Sequence, residues 1–391
     1  MKKKIMVTAL AAAMTLSLAA CGSSSSSSTA ASSEPAAASS SAAATSEASS
    51  AAATSSSSAA TSSSSEAAAA TEGGEYTVVY LSPSTASEYW QSCEIGMTNA
   101  ALDLQDELGI TINFSTTGPA TEAETEAYLT AFESTIASAP DAIITATLEP
   151  NGTVEKSKEA TEQGIYVNYV SMGLGDGSGE SDADWEPYYG VHYYCDNYVI
   201  GQTAAECMLK AWEAAGIEPK GYVGMHMSVV VETLEKRMQG FVDYMAENAP
   251  DVVCIDTLYN ENDVNNAQAN VENQISTYGS ELIGLYGGNN ISGDGIANAL
   301  RSANITTIPG IAVDSDAVEV QALQDGYFYA IVAQTPYEQG YNCMVNAITY
   351  LMTGENTAEA KHINCPSTAV TADMMNDEEY AALLDPTLLK R

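Results

Sequence analysis

His192, His226 and His362 are the only imidazoles in the chain, and none stands in a nucleophile or zinc-binding spacing. Seven cysteines occur without a C-x-x-C pair, so a redox centre or zinc site has no support. The glycines from Gly287 to Gly295 lack the lysine of a phosphate loop. Asp176, Asp182 and Asp184 are rich in oxygen but lack the spacing of a calcium loop. We therefore expect no catalytic residue, no metal and no cofactor, which disfavours an extracellular hydrolase. The thiol whose neighbours do specify covalent chemistry is Cys21. Lys2, Lys3 and Lys4 precede an apolar run from Ile5 to Leu16, and Leu18-Ala19-Ala20 leads directly into Cys21. A basic start, a short apolar segment and small residues before the cut describe a secretory signal over residues 1–20. A cysteine at that place looks like a lipobox, in which the thiol is acylated; the competing reading is an ordinary cleaved signal with a chance cysteine. The run is short of the ~20 apolar residues that span a bilayer. We expect a protein working outside the cytoplasm, anchored to the lipid bilayer through acylated Cys21.

From Gly22 to Gly74 the chain is almost wholly Ser, Ala and Thr with scattered Glu. It cannot bury enough apolar surface to offset the entropy of ordering. Residues 21–75 are thus a tether with an end-to-end distance on the order of 35–45 Å; the Ser and Thr runs argue against an alanine-rich helix. The formal net charge is −38, and removing Lys2, Lys3 and Lys4 takes it to −41. Such a surface repels nucleic acid and serves solubility. Cys93, Cys207 and Cys343 fall in helical patterns, where cysteine is often a small buried apolar residue. Disulfides are permitted outside the cytoplasm, and the pairing of Cys93, Cys195, Cys207, Cys254, Cys343 and Cys365 is open.

Beyond the tether, strand-like and helix-like runs alternate. Strands are expected at 76–81, 110–114, 141–146 and 165–170, with helices at 90–108, 125–138 and 154–163 between or after them. After an irregular stretch from Gly173 to Pro187 the pattern restarts, with helices at 197–215, 234–248, 265–278, 294–303 and 338–351. Strands there fall at 220–225, 252–257, 282–286, 307–313 and 329–333. This alternation predicts parallel, doubly wound sheets in two similar α/β halves joined near residues 190–196. Ligands in such sheets sit at the carboxyl ends of the strands.

Several landmarks carry a resemblance when taken in order. They are Val79-Tyr80-Leu81-Ser82 followed by Tyr89-Trp90, Cys195-Asp196-Asn197 with Gly201, and Arg237-Met238-Gln239-Gly240-Phe241. Asn289-Asn290, Val313-Asp314-Ser315-Asp316, and Ala333-Gln334-Thr335-Pro336 with Gly340 complete the series. The chain from Tyr76 to about Pro366 thereby resembles the type I sugar-binding proteins of ABC importers, nearest the ribose- and galactose-binding group. The resemblance implies the periplasmic binding protein type I fold, two doubly wound parallel-sheet lobes joined by a three-segment hinge. Lobe one would be 76–194 plus 335–365, lobe two 195–334, and a tail 366–391 would cross back to lobe two. It implies no enzyme, but a monomer that closes on a small polar ligand, a sugar, and presents it to ABC permease subunits. The alternative is a sensory protein presenting a sugar, amine or autoinducer-like ligand to a chemoreceptor or sensor kinase.

By the same resemblance the ligand contacts map to Ser87, Tyr89, Trp90, Thr147, Ser171, Met172, Glu235, Asn289, Asp314 and Gln334. Amides and carboxylates pair with hydroxyls, and aromatic rings carry the apolar faces of a pyranose. The competing readings are packing for Tyr89-Trp90, a turn position for Asn289, and capping of the following helix for Asp314. Ser171-Met172 stand where ribose-type sites have Asp-Arg, and Glu235 stands where they have Arg. Arg237 is expected to be structural. Glu149, Glu232, Glu235 and Asp314 near one cleft would suit a neutral polyol or an amine-bearing ligand. Trp185, Tyr188 and Tyr189 could wall the cleft or pack on the surface.

Overall fold

The computed structural model describes residues 73–174 and 185–391. The signal segment, Cys21, the tether up to residue 72, and Asp176, Asp182 and Asp184 lie outside the described residues. In chain order, the first elements are β1 (Glu75–Leu81), α1 (Glu88–Leu108), β2 (Thr111–Thr117), α2 (Thr125–Ala137), β3 (Ala142–Thr145), α3 (Pro150–Glu162), β4 (Tyr166–Val170) and β5 (His192–Tyr194). Then come α4 (Asn197–Ala215), β6 (Gly221–Met227), α5 (Glu232–Asn248), β7 (Val252–Cys254), β8 (Leu258–Tyr259), α6 (Val264–Tyr278), β9 (Leu282–Gly287), α7 (Asn290–Ala303), β10 (Gly310–Val313), α8 (Ala317–Gln324) and β11 (Phe328–Ala333). Last are α9 (Pro336–Thr353), β12 (His362–Asn364), β13 (Thr368–Thr371) and α10 (Glu378–Leu384). Because Glu75 pairs with Thr111, β1 takes in one residue expected in the tether.

Two sheets result. The first runs β12-β5-β4-β3-β1-β2 and is parallel throughout. The second runs β13-β11-β10-β9-β6-β7, with β8 also on β6, and only β13 is antiparallel. Central strands such as β3 and β10 are buried at every residue, as parallel strands covered on both faces must be. The protein is thus an α/β chain of two parallel-sheet lobes.

Each lobe has a helix pair seated backbone to backbone. A Cβ on Gly96 of α1 would lie 2.0 Å from the Tyr337 carbonyl oxygen of α9, and one on Gly340 would lie 2.1 Å from that of Cys93. Gly201 of α4 and Gly240 of α5 repeat the arrangement against the Arg237 and Tyr198 carbonyls. Only glycine allows this approach.

The chain passes between lobes after β5, after β11 and after β12. The tail goes further than the sequence suggests. Leu384 joins the second core with Met374, Met375 and Tyr380 against it, and the chain then returns to the first lobe. There the Asn99 Nδ2 of α1 donates to the Leu389 carbonyl at 2.7 Å, and Arg391 pairs with Asp103. The six described cysteines are free thiols. The elements absent from the sequence reading are the short β5, β8, β12 and β13, and the helices α8 and α10. Helix α3 starts at Pro150 rather than residue 154, because the Glu149 side chain caps Asn151 N and Gly152 N.

His226 is fully buried on β6, its Nε2 donating to Gln274 Oε1 at 2.8 Å. Burial lowers its pKa from 6.5 to about 4. The unfolded chain therefore binds the extra proton first, and stability from this group is complete above pH 6.5 and lost as pH falls towards 4. Relative to His226→Gln, the natural protein should lose up to about 3 kcal/mol over that window, measured by urea unfolding at stepped pH. Parallel pH curves for the two proteins would refute this.

Candidate functional site

The carboxyl ends of the strands converge on the gap between the sheets. Two positions there hold a backbone that L-residues rarely adopt: Ser171 after β4 has φ +65° and Asp314 after β10 has φ +85°. Such strain persists only where surroundings enforce it, and it gathers at binding sites. Ser171 is fixed on three sides. Its N–H donates to the Tyr193 carbonyl at 2.7 Å, its Oγ accepts from the Tyr89 hydroxyl at 2.9 Å, and its carbonyl lies 3.1 Å from His192 Nε2. His192 Nδ1 in turn faces His362 Nδ1 at 3.2 Å, and His362 Nε2 faces the Tyr189 hydroxyl at 3.1 Å. Two of the three histidines thus support the site from behind.

Asp314 is held from the other lobe. Its Oδ2 accepts the Asn290 N–H at 3.1 Å, and its Oδ1 accepts from Gln334 Nε2 at 2.6 Å. The helix after Asp314 is capped by Asp316, in a reciprocal capping box with Glu319. Asp314 caps α7, an element further back in the chain, so the expected alternative role as cap of the next helix is corrected. Asn289 is the N-cap residue of α7, with Oδ1 accepting from Ser292 Oγ at 2.7 Å.

Tyr89 is linked to the chain crossings between the sheets through Gln339. Gln339 Nε2 lies 3.5 Å from its hydroxyl and 3.3 Å from Cys195 Sγ. Burial holds the Tyr89 phenol well above the usual tyrosine range, with smaller contributions from Cys93, Cys195 and, across the gap, Asp314. Thr147 is 5% exposed, donates its N–H to the Met172 carbonyl at 3.0 Å, and has an Oγ1 without a partner among the described residues. Met172 packs against the first core.

Three expected contacts are placed otherwise. Trp90 is 3% exposed within the first core, edge-on to Tyr89 at 4.9 Å, so its face is not free to stack on a sugar. Its Nε1 donates to Glu122 Oε1 at 2.5 Å, which makes it a positioning residue for that carboxylate. Glu235 is exposed and takes the Tyr259 hydroxyl. Ser87 is the N-cap residue of α1 without a side-chain cap bond. Glu149 is occupied in capping α3, and Trp185, Tyr188 and Tyr189 pack on the α3 side of the first lobe, with Lys158 over the Tyr188 ring. Arg237 is structural as expected: it donates to Asn197 Oδ1 at 2.6 and 3.1 Å and to the Gly288 carbonyl at 2.5 Å.

Among the acids, Glu122 feels the charge of Asp314, and Asp294 and Asp316 feel that of Glu88. Glu122 is an exposed residue whose carboxylate is partly desolvated, which raises its pKa; the Trp90 hydrogen bond lowers it and Asp314 adds a smaller rise. Burial, Asp316 and more weakly Glu88 raise Asp294; Asp316 is itself raised by burial, with Asp314 and Glu88 adding. Glu319, buried beneath them, is pushed well up by burial and by Asp316, Asp314 and Asp294. Glu122 and Gln339 have no local motif to announce them. A glutamine on the buried face of an apolar helix was the one available signal for Gln339.

Two surface depressions, of about 590 and 520 Å³, lie at the opposite ends of the strands, one against Tyr166, Tyr350 and Lys361 and the other against Ala211, Pro309 and Tyr329. We place the site at the carboxyl ends, where the strain and the unpartnered polar groups are.

Residues 78–356 match the family model of the periplasmic binding protein domain. The fold resembles a solute-binding protein of an ABC transporter from Agrobacterium vitis bound with α-D-tagatopyranose: TM-score 0.68, 25% identity, over 79% of this chain and 99% of that one. A carbohydrate transporter solute-binding protein from Agrobacterium radiobacter in complex with D-arabinose gives TM-score 0.68 at 22% identity, over 80% of this chain and 99% of that one. A sugar-binding protein from Bacillus halodurans gives 0.65 at 20% identity, over 78% and 99%. No curated protein matches the chain.

Trp90→Ala should cost about 3–5 kcal/mol of stability, as for other buried aromatic truncations, read from the denaturant midpoint. An unchanged midpoint would mean that the indole is a free wall of the gap after all.

Proposed function

Because the chain belongs to the periplasmic binding protein family, we propose that it is an extracytoplasmic solute-binding protein that captures a small polyhydroxylated ligand, a sugar, by hinge closure. The observation that carries this reading is the pair of strained residues facing one gap from two lobes, Ser171 and Asp314, each fixed by side chains at strand ends. Such a geometry keeps hydrogen-bonding groups pre-positioned, which reduces the entropy lost when ligand binds. Tyr89, Ser171 and Thr147 would serve the ligand from lobe one, and Asn289, Asp314 and Gln334 from lobe two. The sugars named for the Agrobacterium proteins support that ligand class.

We assign lobe one to 76–194 plus 335–365, lobe two to 195–334, and the tail to 366–391. The ligand biases the lobes towards the closed form, since it gains contacts on both only there. ABC permease subunits then recognise the closed form and take the cargo inward. Acylated Cys21 keeps the monomer at the membrane, with residues 22–74 as its leash. One acyl chain holds only marginally, so two or more are expected on the residue.

Thermal unfolding of the purified protein against mono- and oligosaccharides, polyols and nucleosides tests the cargo. A ligand at 100 times its Kd should add about 2.7 kcal/mol of stability. No shift with any sugar would sink the sugar reading. For the anchor, Cys21→Ala should move the protein from the membrane fraction to the soluble fraction on cell fractionation; retention in the membrane would rule out lipid anchoring.

A further inference from the structure

The first and third chain crossings each begin with a cysteine. Cys195 follows β5 and Cys365 follows β12, 170 positions apart in the sequence. The two strands run parallel and in register, His192 beside His362, Tyr193 beside Ile363 and Tyr194 beside Asn364. The Cys365 N–H still donates to the Tyr194 carbonyl at 2.6 Å, so the register carried one residue further sets Cys195 opposite Cys365. Neighbouring strands lie about 4.8 Å apart. That is inside the range of about 4.4–6.8 Å between the α-carbons of a disulfide.

The side chains agree with the backbone. Residues opposite each other in register stand on the same face of a sheet, and here it is the face that α9 covers. Cys195 Sγ accepts from Gln339 Nε2 of α9 at 3.3 Å and lies 3.7 Å from the hydroxyl of Thr335, the N-cap residue of that helix. Cys365 belongs to the first core, which also holds Cys343 and Met344 of α9. Cys195 Sγ donates to the Cys365 carbonyl at 2.8 Å, so the thiol already points at its neighbour's backbone. Among the described residues no other two cysteines oppose each other in a strand pair. Cys93, Cys207 and Cys343 lie on the helices α1, α4 and α9, and Cys254 of β7 pairs with Val223.

We propose that Cys195 and Cys365 form a disulfide when the chain folds in contact with a small disulfide oxidant, a covalent staple between the first and third crossings. The reaction is thiol–disulfide exchange. One cysteine thiolate attacks a sulfur of the oxidant RSSR, whose S–S bond breaks, and RS⁻ leaves and takes up a proton. The second cysteine thiolate attacks the cysteine sulfur of the mixed disulfide and displaces the other RS⁻, which is protonated in turn. The two cysteines lose two electrons and two protons, and RSSR gains them as two RSH. Burial raises the Cys195 thiol and pushes Cys365 up to about 12, so the folded pair keeps its protons and exchanges slowly. The exchange therefore belongs to folding, before the crossings are packed. Outside the cytoplasm, the compartment proposed above, such oxidants persist; the pairing itself follows from the register.

Refolding the purified protein from urea in a mixture of oxidised and reduced glutathione tests the assignment. After the remaining thiols are alkylated, non-reducing peptide mapping should show one link, between the peptides that carry Cys195 and Cys365. Cys195→Ser and Cys365→Ser should each refold without it. If either variant fails to fold, the map of the natural protein still decides. The linked form should unfold at about 1 M more urea than the same sample after reduction, because the staple closes a long loop of the unfolded chain. Alkylation of both Cys195 and Cys365, or a link from either to another cysteine, would overturn the inference. So would a link between them that leaves the urea midpoint unchanged or lowers it, since the native register would then not accommodate the bond.

Discussion

Each lobe closes its own core around its own sheet, so the relation between them depends on the chain crossings and what knits those crossings together. Cys195, Thr335 and Cys365 meet there. Cys195 Sγ donates to the Cys365 carbonyl at 2.8 Å, Thr335 Oγ1 donates to the same oxygen at 3.4 Å, and the Cys365 N–H reaches the Tyr194 carbonyl at 2.6 Å. Burial raises the Cys195 thiol above its ordinary range, which keeps it protonated and able to donate. Short bonds thus tie three adjacent segments together where the chain passes between the sheets. Gln339 connects this knot to Tyr89. The tail adds a further link, since it leaves the second core at Leu384 and bonds to α1 through Leu389.

The strained backbones at Ser171 and Asp314 show where folding energy has been traded for position. Neither is a glycine, although glycine would adopt these angles without cost. Each side chain is therefore kept for what it presents. Ser171 holds Tyr89, and Asp314 holds both Gln334 and the start of α7. Three separate segments are fixed through two residues.

The repeated strand and helix pattern was legible because it is local: runs such as Val78 to Leu81 and Ala142 to Ile144 are hydrophobic throughout, and Gly109 and Gly216 close their helices in the left-handed conformation. The hinge strands β5 and β12 were not, because three residues carry no period and owe their shape to each other through the His192 to His362 register. Site positions at strand ends were found from the order of the landmarks. Their individual roles were less accessible, since Trp90 reads as a ring for stacking until Glu122, thirty-two positions away, is seen to take its N–H. Acids were misassigned for the same reason. Glu149 looks like a cleft residue but satisfies the first turn of α3, while Glu122 takes the indole N–H of Trp90 from a distant segment.

Like charges held near one another each favour the protonated form of the others, which adds to the effect of burial at Asp294, Asp316 and Glu319. Burial and the neighbouring Asp316 raise Asp294 strongly, and Asp316 is raised as well, which favours one shared proton between the two acids. Glu122 and Asp314 have separate partners, the Trp90 indole and the Gln334 amide, which orient them without neutralising them. The first pair can adjust its charge from within the protein.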